Sequence, residues 1–277
     1  MEKESLARLT ALGHPQRMEV FRLLVRRYPD AVPAGEIACA LSLKANTLSV
    51  YLSTLMAAGL IRQERRGTSL RYRPDMTGAR ELVSYLFQDC CRGRPDLCPP
   101  PAQQGPQDRV TDRKRNALFV CTGNSARSIF AEAILRETAG DRFDVYSAGT
   151  DPASEPNPFA IRMLRDTGID VSDLRAKHIS EFQRGDAPLM DFVFTVCDQA
   201  ANEGCQVWQV QPITAHWGVP DPVREQGSDA AKGRAYQRAY GLLRNRIAAF
   251  AALPIEALDR LSLQSRIDEI SRSREIT

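Results

Sequence analysis

Apolar residues near the start of the chain recur at helical spacing: Leu6, Leu9 and Leu12, then Met18, Phe21, Leu24 and Val25, with the breaker GHP at 13–15 between the sets. The pattern predicts two helices joined at a Gly/Pro break. Past Pro33, the segment AGEIACALSLKANTLSVYLSTLMAAGLIRQERRGTSLRYRPD predicts a short helix over Gly35 to Leu41 and a tight turn at Ser42 to Lys44. A second helix from Ala45 to Ala58, stopping at Gly59, completes a helix-turn-helix. LIRQERRGTSLRYRP then predicts a basic hairpin turning at Gly67. Helix-turn-helix plus hairpin is a winged helix. Val50, Leu52, Leu55 and Met56 are assigned to its core, and Cys39 is expected to be a small buried hydrophobe.

The periodicity then stops. RGRPDLCPPPAQQGPQDRVTDRKR is dense in Pro, Gly, Gln and charge and predicts a linker. After it ALFVC is a short buried strand, CTGNSARS a loop, and Ser128 to Ala139 a helix. Further strands near 143–147, 191–196 and 210–214, with helices near 157–167 and 229–251, predict an α/β domain around a central parallel sheet. Past Pro254, Leu258, Leu261, Leu263, Ile267 and Ile270 predict a helical tail. The expected organisation is a mainly α winged helix-turn-helix at 1–91, a linker at 92–114, an α/β domain at 115–253 and a tail at 254–277.

Composition adds limits. No apolar run approaches the roughly 18–20 residues of a membrane span, and MEKESLARLT lacks a secretory apolar core, so a cytoplasmic location without membrane partners is expected. There the seven cysteines should be mostly reduced, available for metal binding or catalysis. The net charge of +3 hides an asymmetry. Residues 1–115 carry 19 Lys and Arg against 12 Asp and Glu, while 116–277 carry 18 against 22. A basic front unit suits a polyanion. On the second helix of the helix-turn-helix, Asn46, Thr47, Ser49 and Ser53 are candidates to meet base edges and phosphates. Arg65, Arg66, Arg71 and Arg73 of the wing are candidates for phosphate or minor groove.

In the second unit, Cys121 ends a strand and Arg127 stands six residues later, at the far end of the loop before the helix. The backbone of Thr122, Gly123, Asn124, Ser125, Ala126 and Arg127, together with the helix N-terminus, would form an oxyanion site, with a bidentate Arg127 as clamp. The same field is expected to lower the Cys121 pKa and make the thiol a nucleophile. Two later loops add Cys197, followed eight residues on by Cys205, and Asp221 between two prolines. DQAANEG, between the cysteines, is expected to be a movable loop. His216 and Trp217 are expected to support the Asp221 loop, with no carboxylate or thiol partner readable for the histidine.

Through LTALGHPQRMEVFRLL and LSVYLSTLMAAGLIRQERRGTSLRYR, residues 5–90 resemble the ArsR/SmtB family of metal- and metalloid-responsive repressors. That resemblance implies a homodimer, packed through the first helix and the helix at 77–89, that leaves operator DNA when inducer binds. The first helix of the helix-turn-helix holds only Cys39, where the best-known arsenic sensors of that family carry a cysteine pair; Cys90, Cys91 and Cys98 offer three soft thiolates suited to arsenite instead. Residues 115–251, through the Cys-x5-Arg loop and the downstream DP, resemble the low-molecular-weight tyrosine phosphatase fold and, within it, the arsenate reductases. The resemblance implies Asp221 as general acid, Ser128 as hydrogen-bond partner of the thiolate, Asn124 as keeper of the loop's shape, and Cys197 and Cys205 as a disulfide cascade. It implies no tightly bound cofactor, with thioredoxin or a small thiol as external reductant. Val223 and Arg224 follow DP where phosphatases of this fold place tyrosines, which favours a small inorganic oxyanion. The alternatives are a phosphatase and a catalytically inactive oxyanion sensor.

Overall fold

The computed structural model describes residues 2–90, 92, 113–203, 208 and 210–272. The chain divides into two compact units, Met1–Val110 and Thr111–Thr277.

In the first unit α1 (Glu2–Leu12) and α2 (Pro15–Arg26) meet at the predicted break, where Pro15 occupies the first turn of α2, a position that needs no N–H. α3 (Ala34–Ala40) and α4 (Ala45–Ala57) form the helix-turn-helix, with Ser42 in the left-handed region at the turn (φ 52°). The wing is β2 (Ile61–Arg66) paired antiparallel with β3 (Ser69–Pro74), and β3 also pairs with a two-residue strand, β1 (Val32–Pro33). α5 (Met76–Tyr85) is shorter than expected and runs on into a π turn over Leu86–Cys90. Val20, Leu23, Leu24, Ile37, Leu48, Leu52 and Leu55 make the core.

Two expected core residues lie outside it. Val50 is 63% exposed and Cys39 is exposed. Each sits two residues from a buried helical position, Leu48 and Ile37, and two steps of about 100° turn a side chain to the opposite face.

The second unit is built on a four-stranded parallel sheet in the order β5-β4-β6-β7. Its strands are β4 (Arg115–Cys121), β5 (Phe143–Gly149), β6 (Phe192–Thr195) and β7 (Ile213–His216). β4 is central and covered on both faces, so Ala117, Leu118, Phe119 and Val120 form a continuous buried apolar run. α6 (Arg127–Ala139) follows β4 and packs against α9 (Asp229–Ala251), and α7 (Pro158–Asp166) follows β5. Phe194 stacks on Trp217 with ring centroids 4.1 Å apart, and Phe250 packs edge-on against Phe192 and Phe194. Residues 198–202 form a short helix, α8 (Asp198–Asn202), where a movable loop was expected. Its seed is the Cys197 sulfur, which accepts from Ala200 N at 3.4 Å and caps the turn. α10 (Arg260–Arg272) packs along β7. No helix among the described residues is long and apolar enough to cross a membrane.

Candidate active site and nucleic-acid surface

From β4 the chain goes to β5 on one side and then to β6 on the other, so the C-terminal end of β4 is a topological switch point, where open α/β sheets bind ligands. Cys121 is the last residue of that strand. In the loop after it, the carbonyls of Cys121, Thr122, Gly123 and Ser125 accept from the amides of Thr150, Asp151, Ala153 and Asn157 at 3.1, 3.0, 2.9 and 2.8 Å. Those bonds tie the loop's carbonyls to the segment after β5, and Asn124 N donates to Cys121 Sγ at 3.2 Å. Asn124 takes φ 42°, a left-handed conformation that asparagine tolerates. A Cβ at Gly149 would stand 2.5 Å from Thr122 O, so the end of β5 must be glycine to let the loop close. The N-cap residue of α6, Ala126, makes no side-chain cap.

Behind the loop a buried chain of hydrogen bonds has one direction. Glu132 accepts from the Lys177 ammonium at 3.1 Å, from Arg136 and from the Ser147 hydroxyl. With its proton committed to Glu132, Ser147 Oγ accepts from Asn124 Nδ2 at 2.8 Å, and the same amide donates to Ser128 Oγ at 2.9 Å. Lys177 N donates to Asn124 Oδ1 at 2.7 Å and so fixes which way that amide points. Ser128 Oγ, 2.9 Å from Cys121 Sγ, therefore has its proton free for the sulfur. Glu132, Ser147 and Lys177 were not anticipated from sequence. A buried Glu and a buried Lys are rare enough to mark a site, but nothing local in the sequence shows that they are buried.

Arg127 and Asp221 are engaged with each other. Arg127 Nη2 donates to Asp221 Oδ2 at 2.8 Å and Nη1 to Val219 O at 3.3 Å, while Arg224 Nε lies 3.6 Å from the same carboxylate. The expected lowering of the Cys121 pKa is not found in this state. Burial pushes the thiol up and nearby Cys197 adds to it, against the opposing pull of Ser128 and Arg127. Arg127 has its charge turned toward Asp221, which weakens its effect on the sulfur. Beside the acid loop, burial and then the Asp221 carboxylate push the Tyr236 phenol up to about 12.

Cys197 stands two residues past the end of β6, one strand over from Cys121, and is buried with its sulfur 3.5 Å from Thr122 Oγ1. The structure thus brings together Cys121, the 122–127 loop, Ser128, Asp221 and Cys197. Cys205 lies outside the described residues. His216, for which no partner was readable, sits between Thr195 and the Asp198 carboxylate.

On the first unit, Asn46, Ser49 and Ser53 are exposed on one face of α4, Thr47 is half-buried, and Val50 joins the exposed stripe. Arg65, Arg66 and Arg73 are exposed, Arg66 within 3.4 Å of Glu64. Arg71 is half-buried and its guanidinium reaches Ala31 O at 3.5 Å, so it supports the β1–β3 pairing instead of standing free on the wing. Leu6 of α1 and Val83 of α5 are about half exposed. Cys90 is exposed at the end of the π turn, and Cys91 and Cys98 lie outside the described residues.

Residues 116–262 match the family described as low molecular weight phosphotyrosine protein phosphatase, and residues 12–64 match a helix-turn-helix domain. Among curated proteins, the arsenate reductase of Bacillus subtilis (strain 168) is 37% identical over 133 residues, covering 48% of this chain and 92% of the relative. Arsenate reductase 1 of Staphylococcus epidermidis is 35% identical over 123 residues, 44% of this chain and 89% of the relative. A crystal structure titled arsenate reductase from Archaeoglobus fulgidus DSM 4304 aligns with 50% of this chain and 99% of its own at 23% identity and a TM-score of 0.40.

Proposed function

The chain belongs to the low-molecular-weight phosphotyrosine protein phosphatase family through residues 116–262, and from that premise we propose that its second unit is a thiol-dependent arsenate reductase and its first an arsenite-responsive DNA-binding repressor. The observation that carries the first half is Cys197, a second buried thiol at the end of the strand beside Cys121. Phosphate ester hydrolysis has no use for it. The curated relatives over this unit are named arsenate reductases, which supports the same choice.

In the proposed reaction arsenate binds the loop amides and Arg127, releasing Arg127 from Asp221. The Cys121 thiolate, favoured by the Ser128 hydroxyl, attacks arsenic, and Asp221 gives its proton to the departing oxygen, which leaves as water. Cys197 thiolate then attacks Cys121 Sγ. An S–S bond forms, the S–As bond breaks with its electron pair left on arsenic, and As(V) becomes As(III) as two thiols become one disulfide. Cys205 would next attack Cys197 and carry the disulfide to thioredoxin or a small thiol. The test is a coupled assay with arsenate, thioredoxin, its reductase and NADPH. Arsenate-dependent NADPH oxidation is expected, together with a Cys197→Ser variant that reacts at most once per chain. Release of phosphate from a phosphotyrosine mimic without any NADPH oxidation would make the unit a phosphatase, and neither activity would make it a sensor.

For the first unit, the exposed polar stripe of α4 and the basic wing support binding to operator DNA. The half-exposed Leu6 and Val83 on α1 and α5 support pairing of two copies there. Cys90, Cys91 and Cys98 are the proposed arsenite ligands. Replacing all three by serine is expected to leave DNA binding intact and unresponsive to arsenite in a fluorescence anisotropy titration. Release at an unchanged arsenite concentration would move the sensor site elsewhere.

A further inference from the structure

His216 is fully buried, with both ring nitrogens engaged. Nε2 lies 3.1 Å from Asp198 Oδ1 and Nδ1 lies 2.9 Å from Thr195 Oγ1. A carboxylate can only accept, so Nε2 carries a proton, and in the neutral ring Nδ1 accepts from the Thr195 hydroxyl. Thr195 is two residues before Cys197 and Asp198 is the residue after it, so one imidazole grips the chain on either side of the thiol. Thr195 and His216 are register partners on β6 and β7, which places the ring at this corner. The segment after His216 is strapped to the same corner, with Trp217 N donating to Thr195 O at 2.7 Å and Val219 N to Val196 O at 3.2 Å. A Cβ at Gly218 would stand 2.7 Å from His216 Nε2 and 2.8 Å from Asp198 Oδ1, so the backbone closes over the pair only because that residue is glycine.

We propose that His216 is a positioning residue for Cys197: by bridging Thr195 and Asp198 it fixes the β6–α8 corner that holds the Cys197 sulfur buried beside Thr122, one strand over from Cys121. The role rests on the reading of Cys197 as the thiol that resolves the arseno-intermediate. Free rotation of the corner would leave the sulfur buried in many orientations or exposed to solvent, and the second step would wait on its return. The first step, which uses Cys121, the loop and Asp221, does not involve the grip.

The test uses the full chain with Asp198→Ala and Asp198→Asn. Asp198 is more than half exposed, so either change leaves the core intact, and the asparagine oxygen still accepts from Nε2. Peptide-resolved alkylation of Cys197 by iodoacetamide is expected to quicken about tenfold in Asp198→Ala, the scale of one lost hydrogen bond to a charged group, and to stay near the parent rate in Asp198→Asn. In single-turnover reactions arsenite release should slow in Asp198→Ala while the arsenate-dependent protection of Cys121 from alkylation keeps its parent rate. Unchanged Cys197 alkylation in Asp198→Ala overturns the proposal, as does a slowed first step with an unchanged second. If Cys197→Ser sustains turnover, the reading beneath the proposal fails, and the alkylation rates still decide whether the grip holds the thiol.

Discussion

The two units keep the polar groups of their candidate sites in opposite places. On the first, Asn46, Ser49, Ser53, Arg65 and Arg73 stand in solvent over a core of Val, Leu and Ile that none of them enters. In the second, Cys121, Asn124, Ser128, Glu132, Ser147, Lys177 and His216 are all nearly or fully buried within the fold. A surface that meets a long polyanion needs reach and charge, and its side chains can vary without touching stability. A site that does chemistry on a small anion must exclude water and fix each proton, so its polar groups become part of what holds the fold together. Substitutions at those exposed residues of the first unit should therefore change affinity alone, and those at the buried residues of the second should change folding and reactivity together.

The sharpest separation comes from Cys121→Ser, expected to abolish arsenate turnover while operator binding by the same protein, read by anisotropy, is unchanged. Next is Lys177→Met, which takes from the buried Glu132 carboxylate its buried cation and leaves it Arg136 and the Ser147 hydroxyl. Breaking such a buried pair is expected to cost about 3–5 kcal/mol, read as lost hydrogen-exchange protection confined to residues 113–272. Equal loss of protection in α2 and α4 would mean that the two units do not unfold separately. Asp221→Asn should slow the first step by roughly 100-fold if it is the general acid, measured as the rate of Cys121 protection by arsenate.

Acidity gives a smaller effect with a definite sign. Because burial raises the Cys121 pKa, its neutral form stabilises the fold fully below the unfolded thiol's pKa, and that contribution fades as pH climbs through the raised value. Without an oxyanion, Cys121 alkylation should go on rising about tenfold per pH unit past the point where a free thiol levels off. A plateau at the free-thiol position would show that Ser128 and Arg127 outweigh burial. Last are the wing arginines. Arg65→Ala or Arg73→Ala should each flatten the salt dependence of operator binding by a slope of about 1, and Arg71→Ala, whose side chain faces Ala31, by less.

What the sequence disclosed was mostly contiguous. The Cys121-to-Arg127 loop is legible because seven neighbouring residues carry both the proposed nucleophile and the proposed anion site. The winged helix is legible because helical spacing, the Gly67 turn and alternating basic residues lie in one run. Groups joined across strands were hidden. Ser147, Lys177 and Glu132 come from a strand, a loop and a helix, and only the parallel sheet brings them to Asn124. The same holds for His216 and Asp198, 18 residues apart and joined at the ends of β7 and β6. Val50 and Cys39 were misplaced for another reason: apolarity at helical spacing does not say which face is inward when two candidate stripes overlap. The deciding fact is the partner, here the packing of Leu48, Leu52 and Leu55 against α2.

The helix after the sheet's last strand has a consequence for the protein's solubility. β7 is an edge, and an uncovered edge offers a row of amides and carbonyls to any other strand. α10 lays Leu263, Ile267 and Ile270 inward there, Gln264 Nε2 donates to Thr214 O at 2.9 Å, and Arg260 reaches Gln211 O at 2.6 Å. It works as a selvedge, the finished border that keeps a weave from being extended. A chain cut before Arg260 would keep every group of its anion site and present a raw border along which two sheets could be stitched into one, so the border's wear would show as turbidity long before it showed as lost chemistry.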